Sequence, residues 1–254
     1  MTYDNIVTGT FLKRPNRFIA YVEVKGDVKT CHVKNTGRCQ ELLVPGCTVV
    51  LEFHPKAKEM KRKTEYDLIA VYKGNLLINM DSQAPNQAAL EWIREKEAKG
   101  LSLENVGIPT NIRREVTHGE SRFDLAFELK DEVTGKTVPA FMEVKGVTLE
   151  KEGNVFFPDA HTIRGVKHLN GLIQAKKDGF ETFLLLVIQM KGIRKFYPND
   201  ETHKAFGDAL RAAAAAGVHI LAYDCIVTEN SMDMDEKVEV GLLYDNNTRT
   251  HCEL

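Results

Sequence analysis

Asp124, Glu143 and Lys145 are the residues whose types and spacing could do chemistry. Glu143 and Lys145 stand two apart in "FMEVKG", Phe141 to Gly146, a short apolar run with strand character. Successive strand side chains alternate between faces, so Phe141, Glu143 and Lys145 share one face and Met142 and Val144 the other. Asp124 interrupts an earlier strand-like run, "SRFDLAFEL". If the two runs pair as a hairpin, the carboxylates of Asp124 and Glu143 meet on one face. Opposed carboxylates repel. A divalent cation between them removes that cost, and Mg²⁺ or Mn²⁺ prefers such hard oxygen ligands. The Val144 carbonyl adds a further oxygen. A lysine on the same face can hold a nucleophilic water or offset charge on a phosphorane-like transition state. The set is that of a metal-dependent nuclease. The blander alternative is a Glu–Lys pair on a solvated strand, which the E-x-K tripeptide alone does not exclude. Apolar flanks, an aspartate in the preceding strand and a strong α/β pattern downstream favour the site.

Other polar residues could serve it. Glu115, in "RREV", is a candidate further ligand, and Gln189 interrupts the apolar run "LLLVIQ". The stretch "AHTIRGVKHLNGLIQAKKDG" reads as a helix with Ile163, Val166, Leu169 and Ile173 inward. His161, Arg164 and His168 then share a face at i, i+3 and i+7, where they could meet a phosphate backbone. Near the N-terminus, "LKRPNRF" supplies Lys13, Arg14 and Arg17 beside Phe11 and Phe18, and "NTGR" adds Arg38. "PKAKEMKRK" carries Lys56, Lys58, Lys61, Arg62 and Lys63 between two strands. Basic residues interleaved with aromatics suit nucleic acid. Solvated loops and core aromatics are the ordinary alternative.

The elements that must position these residues fall into two parts, divided at residues 84 and 85. In residues 1–84, "RFIAYVEVKG", "VKTCHVKN", "CTVVLEFH" and the two halves of "EYDLIAVYKGNLLINM" read as five short strands. Five strands in so short a stretch suggest a small closed barrel of the OB type that binds nucleic acid. In residues 85–254, a helix at "PNQAALEWIREKEAKG" is followed by three strands, a helix, the buried strand "ETFLLLVIQM", an Ala-rich helix and the strand "VHILAYDCIVTE". This order makes an α/β layer fold. The predicted class is therefore α/β mixed: an OB-like β-barrel and then a nuclease-like α/β domain.

Composition agrees with a globular chain: 43% hydrophobic and 28% charged over 254 residues. No apolar run approaches the roughly 20 residues of a membrane helix, and no signal-peptide pattern opens the chain. No membrane partner is expected. The five cysteines are odd in number and form no CxxC pair, as for reduced cytosolic thiols, so a cytoplasmic location is expected. The net charge of −2 hides an asymmetry: residues 1–85 hold 13 Lys/Arg against 9 Asp/Glu, and the rest 21 against 27. A basic N-terminal part hints at a polyanion partner. There is no phosphate-binding glycine loop, nucleophile elbow or recognition helix.

With these residues in hand, the chain resembles the sugar fermentation stimulation protein A (SfsA) family over nearly its whole length. The segments "FLKRPNRFIAYVEV", "HVKNTGRCQELLVPG", "NMDSQAPNQ", "RREVTHGESRFDLAF", "MEVKGVTL", "FPDAHTIRGVKHL" and "LRAAAAAGVHILAY" follow in the family's order. The resemblance implies an OB-like domain and a PD-(D/E)xK nuclease-like domain. It also implies DNA binding without strong sequence preference and a regulatory role in sugar (maltose) metabolism. Asp124, Glu143 and Lys145 would be the Asp, Glu and Lys of the nuclease core. Gly146 stands where the family commonly has a polar residue, and is expected not to disturb the site. Phe123 stands where many nucleases of the superfamily carry proline. Two functions remain open: a Mg²⁺-dependent nuclease, and a DNA-binding regulator that keeps the scaffold without cutting.

Overall fold

The computed structural model describes residues 1–35, 37 and 39–244. The N-terminal part holds six strands: β1 (Ile6–Lys13), β2 (Ile19–Val24), β3 (Asp27–Val33), β4 (Thr48–Phe53), β5 (Tyr66–Lys73) and β6 (Leu76–Asn79). β1 pairs with β2 and β4, β2 with β3, and β4 with β5, all antiparallel. A parallel β3–β5 pairing closes the ring, so five strands form an OB-like barrel and β6 extends β5 outside it. The sequence reading finds five strands but counts β6 and misses β1. Only Phe11 of β1 is buried, so the strand lacks a full apolar stripe. Gly9 lies at its centre for a steric reason: a Cβ there would meet Val22 Cγ1 at 2.6 Å. Cys31 and Cys39 are buried, which pushes their thiols up to about 12.

The loop from β4 to β5 is anchored at its root. Asp67 is 3% exposed and accepts from Arg62 Nη2 at 2.6 Å, with His54 Nε2 at 2.9 Å from its other oxygen. Burial pushes the Asp67 carboxyl up, but the bonds from Arg62 and His54 outweigh it and hold the carboxyl below the usual 3.8. A depressed folded-state value means stability that is present above pH 3.8 and lost as pH falls through the folded value. Asp67→Asn is therefore expected to lower stability by about 1–3 kcal/mol at pH 7. The deficit should shrink below pH 3.8, read by urea melts from pH 7 to pH 3. A deficit that stays constant over that range would contradict the assignment.

The second part opens with α1 (Ala84–Lys99). Pro85 sits in its first turn and Gly100 ends it at φ 62°, a left-handed cap that glycine adopts without strain. Then come β7 (Ile108–His118), β8 (Ser121–Lys130), β9 (Thr137–Val147), β10 (Leu149–Lys151), β11 (Asn154–Phe157) and α2 (Ile163–Lys177). The chain continues through β12 (Glu181–Ile188), β13 (Lys195–Pro198), α3 (Asp200–Ala215), β14 (His219–Val227), β15 (Met232–Lys237) and β16 (Glu239–Val240). The main sheet has the order β15-β14-β12-β9-β8-β7, with β9, β12 and β14 parallel at its centre. β10, β11, β13 and β16 form a smaller sheet. α1 covers one face of the main sheet, and α2 covers the other with α3 packed on it. Thr182 to Ile188 are all buried, as expected for a central strand read from a continuous apolar run.

The sequence reading has three strands between α1 and α2 where the structure has five, β7 to β11, and it misses β13, β15 and β16. β15, "MDMDEK", is an edge strand with four charged residues, and ladder bonds to β14 hold it rather than burial. Ile163 is read as inward but is 79% exposed, because the helix begins there and its buried stripe is Gly165, Leu169, Leu172 and Ala175.

The barrel is clasped to the α/β part by buried polar groups. Gln189 donates through Nε2 to Asn79 Oδ1 at 3.0 Å and to the Asp81 carbonyl at 3.1 Å. Asn79 N donates to the Gln189 carbonyl at 2.9 Å. Asn79 also donates to the Tyr3 hydroxyl, which donates to Asp81.

Candidate active site

β8 and β9 pair antiparallel, with Leu125 opposite Met142 and Ala126 opposite Phe141. One step further along this register brings Asp124 opposite Glu143. There the ladder opens: the Val144 N–H donates to Asp124 Oδ2 at 2.8 Å instead of to backbone. Asn86, in the first turn of α1, donates to Asp124 Oδ1 at 2.9 Å. Burial pushes the Asp124 carboxyl above its usual range, and the nearby Glu143 charge pushes it further. The aspartate is thus held in place by two donors and kept at an electrostatic disadvantage.

Glu143 is 1% exposed. Its Oε1 is in close contact with Lys145 Nζ and His168 Nδ1. Burial pushes its carboxyl up, but the His168 bond and the Lys145 charge outweigh that and keep it ionised. His168 reaches it from α2, and its Nε2 accepts from Arg164 Nε at 3.1 Å. An Arg donor on Nε2 leaves Nδ1 to carry the imidazole proton toward Glu143. Lys145 Nζ lies 3.4 Å from the Val144 carbonyl and 3.2 Å from His168 Nδ1. The two carboxylates and the Val144 carbonyl are hard oxygens of the kind that could hold Mg²⁺ or Mn²⁺.

Residues 83–231 match the family described as the sugar fermentation stimulation protein RE domain, and residues 12–80 match the SfsA N-terminal OB domain. The chain belongs to the SfsA family. It is 50% identical over 242 residues to a sugar fermentation stimulation protein homolog of Clostridium beijerinckii, covering 95% of this chain and 100% of that one. A homolog of Desulfitobacterium hafniense is 51% identical over 243 residues, covering 96% and 99%. The solved structure of Pyrococcus furiosus SfsA in complex with Ca²⁺ superimposes with a TM-score of 0.78 at 24% identity, covering 95% and 98% of the two chains. That likeness establishes the fold.

In this SfsA-family chain the other sequence candidates take varied positions. Glu115 lies on β7 in the left-handed region at φ 55°, exposed, with its carboxylate on Arg122 Nε at 2.7 Å. Gln189 belongs to the domain clasp. His161 precedes the helix, whose N-cap is Thr162, so it does not share a helical face with Arg164 and His168. Its ring instead lies 3.7 Å from that of His203. His168, read from sequence as a phosphate contact, reaches into the acid cluster. Arg14 is turned inward onto the carbonyls of Gly37, Arg17 and Asn35. Arg17 is exposed, Lys13 Nζ sits over the Tyr21 ring, and Arg38 lies outside the described residues. Lys56, Lys58, Lys61 and Lys63 are exposed, whereas Arg62 is held by Asp67.

Sequence reasoning missed Asn86, which is 38 residues from Asp124, and no local pattern links the two. It also underrated Gly146. A Cβ there would meet Gln189 Oε1 at 2.4 Å and Pro85 Cγ at 2.7 Å, so the position admits only glycine without a shift. Among the described residues, no helix is long and apolar enough to cross a membrane.

Proposed function

We propose that this SfsA-family protein binds DNA with little sequence preference and cleaves it in a reaction that depends on Mg²⁺ or Mn²⁺, with a regulatory role in sugar (maltose) metabolism in the cytoplasm. The observation that carries the reading is the placement of Asp124 opposite Glu143 on the adjacent strands β8 and β9, with Lys145 on the same face. A buried carboxylate beside a half-buried one is costly, and a fold retains such a pair where the charges are used. The Pyrococcus relative, solved with Ca²⁺, adds support for an oxygen-seeking cation.

When bound, the cation would polarise a phosphoryl oxygen and lower the pKa of a coordinated water. The chain's own residues do the rest. Asp124 is aimed by Asn86 and the Val144 N–H, so its free lone pairs point in a fixed direction. His168 and Arg164 hold Glu143 from the helix side. Lys145 carries three donors on one ammonium, so it can keep Glu143 and still meet a phosphoryl oxygen. Asp124 and Glu143 would be the metal ligands with the Val144 carbonyl.

A second reading has its own observation. The Lys145 ammonium already balances the Glu143 charge within the chain and His168 Nδ1 reaches the same oxygen, so the cluster is satisfied as a phosphate-facing surface that does not cut. The deciding experiment incubates linear, circular and single-stranded DNA with Mg²⁺, Mn²⁺ or EDTA, with Glu143→Ala in parallel. Metal-dependent products that vanish in the variant support the nuclease. A gel shift without products under any metal supports the binder.

The basic loop gives a separate prediction. Replacing exposed Lys56, Lys58, Lys61 and Lys63 by glutamine should weaken all sequences alike. The salt slope of binding should fall by about one per lysine that meets a phosphate. An unchanged slope would remove this loop from the interface.

A further inference from the structure

A cavity of about 300 Å³ opens between the barrel and the α/β part. Gly146, Thr148, Phe156, Phe157, His161 and Gln189 contribute to its wall. It begins one residue along β9 from Lys145, and successive Cα atoms are about 3.8 Å apart. The Lys145 side chain lies on the face of β9 opposite to the one a Gly146 Cβ would point toward, so the cavity wall and the Lys145 ammonium are separate features of that strand.

The Gln189 amide is oriented, not free. Both hydrogens of Nε2 are used, on Asn79 Oδ1 and the Asp81 carbonyl. A flipped amide is excluded, because Asn79 Oδ1 also accepts from Asp81 N and would then face a second acceptor. Oε1 consequently points toward Gly146, where the absent side chain leaves it open to the cavity. Among the described residues nothing donates to it. The result is a side chain 2% exposed whose one unused polar atom is an acceptor aimed into an empty space. Phe156 and Phe157 supply apolar wall beside it. An acceptor open at the cavity wall can take an N–H donor, and the Phe156 and Phe157 wall can take a flat apolar partner. A nucleobase with an exocyclic amine or ring N–H supplies both.

We propose that this cavity receives one unpaired nucleobase of the bound DNA strand, a reading that rests on the DNA-cleaving function proposed above. The base enters on a single strand, or leaves the stack of a duplex at an energetic cost. The protein accordingly prefers single-stranded or frayed DNA over an intact blunt duplex.

The test uses the full chain in EDTA, so no strand is cut. Fluorescence anisotropy gives the affinity for a short labelled single strand, for the matching blunt duplex, and for a set of strands with one abasic site moved along the sequence. An abasic scan needs no variant, so folding cannot confound it. The pocket predicts single-strand preference and one abasic position that weakens binding by about tenfold, with small effects elsewhere. Thr148→Trp, which fills the cavity, should remove that position's effect while duplex affinity changes less than about twofold; its fold is checked by circular dichroism. Equal affinity for strand and duplex, with a flat abasic scan, overturns the pocket and leaves DNA binding intact. No binding to either form overturns both.

Discussion

Asp124→Asn is expected to lower metal-dependent DNA cleavage by at least about 10²-fold, the scale at which one well-placed electrostatic partner is lost. The substitution is close to isosteric. Its carbonyl oxygen can still accept from the Val144 N–H, and its amide can pair with Asn86 if that side chain turns its oxygen inward. What disappears is the charge. The folded state holds the Asp124 carboxyl above its usual value through burial and the Glu143 charge. A raised folded-state carboxyl destabilises the fold at pH values above the folded value, and the cost vanishes below the unfolded value of 3.8. The variant measured in EDTA should therefore match or exceed the parent's stability at pH 7, and the difference should close as pH falls toward 3.8. Activity and stability move in opposite directions, which separates a functional carboxylate from a structural one. Full cleavage by the variant would end the nuclease reading. A large loss of stability with the lost activity would instead make Asp124 structural.

The acid pair was legible because strand alternation, an apolar flank and a turn between two runs are all local signals. The same holds for β12, whose unbroken apolar run could only be a buried strand. Elements that local patterning does not mark were missed. β1 buries one aromatic and closes the barrel through its partners, so its identity lies in β2 and β4. β15 is mostly charged and exists because β14 presents an edge. Spacing placed Arg164 and His168 together, but it also placed His161 with them, because periodicity does not announce that Thr162 caps the helix. The role of His168 depends on where α2 crosses β9, which is a tertiary fact. Gly146 reads as an ordinary glycine until Gln189 and Pro85 are seen against it.

Gln189→Leu is expected to destabilise the chain by about 2–4 kcal/mol, and to do so at the junction. The leucine fills similar space but donates nothing. Asn79 Oδ1 keeps the bond from Asp81 N, whereas the Asp81 carbonyl loses the side-chain donor that reaches it across the junction. The backbone bond from Asn79 N to the Gln189 carbonyl survives, so the strands stay in register. Because the clasp joins the barrel to the α/β part, its loss should also broaden urea unfolding or split it into two steps. Gln189→Glu separates donation from volume. At pH 7 it sets carboxylate oxygens against two acceptors and should be worse than leucine. Below its own pKa it regains one hydrogen and should recover part of the loss. If both variants unfold with the parent's midpoint and a single sharp transition, the clasp contributes nothing, and the orientation of the Gln189 amide loses its physical basis.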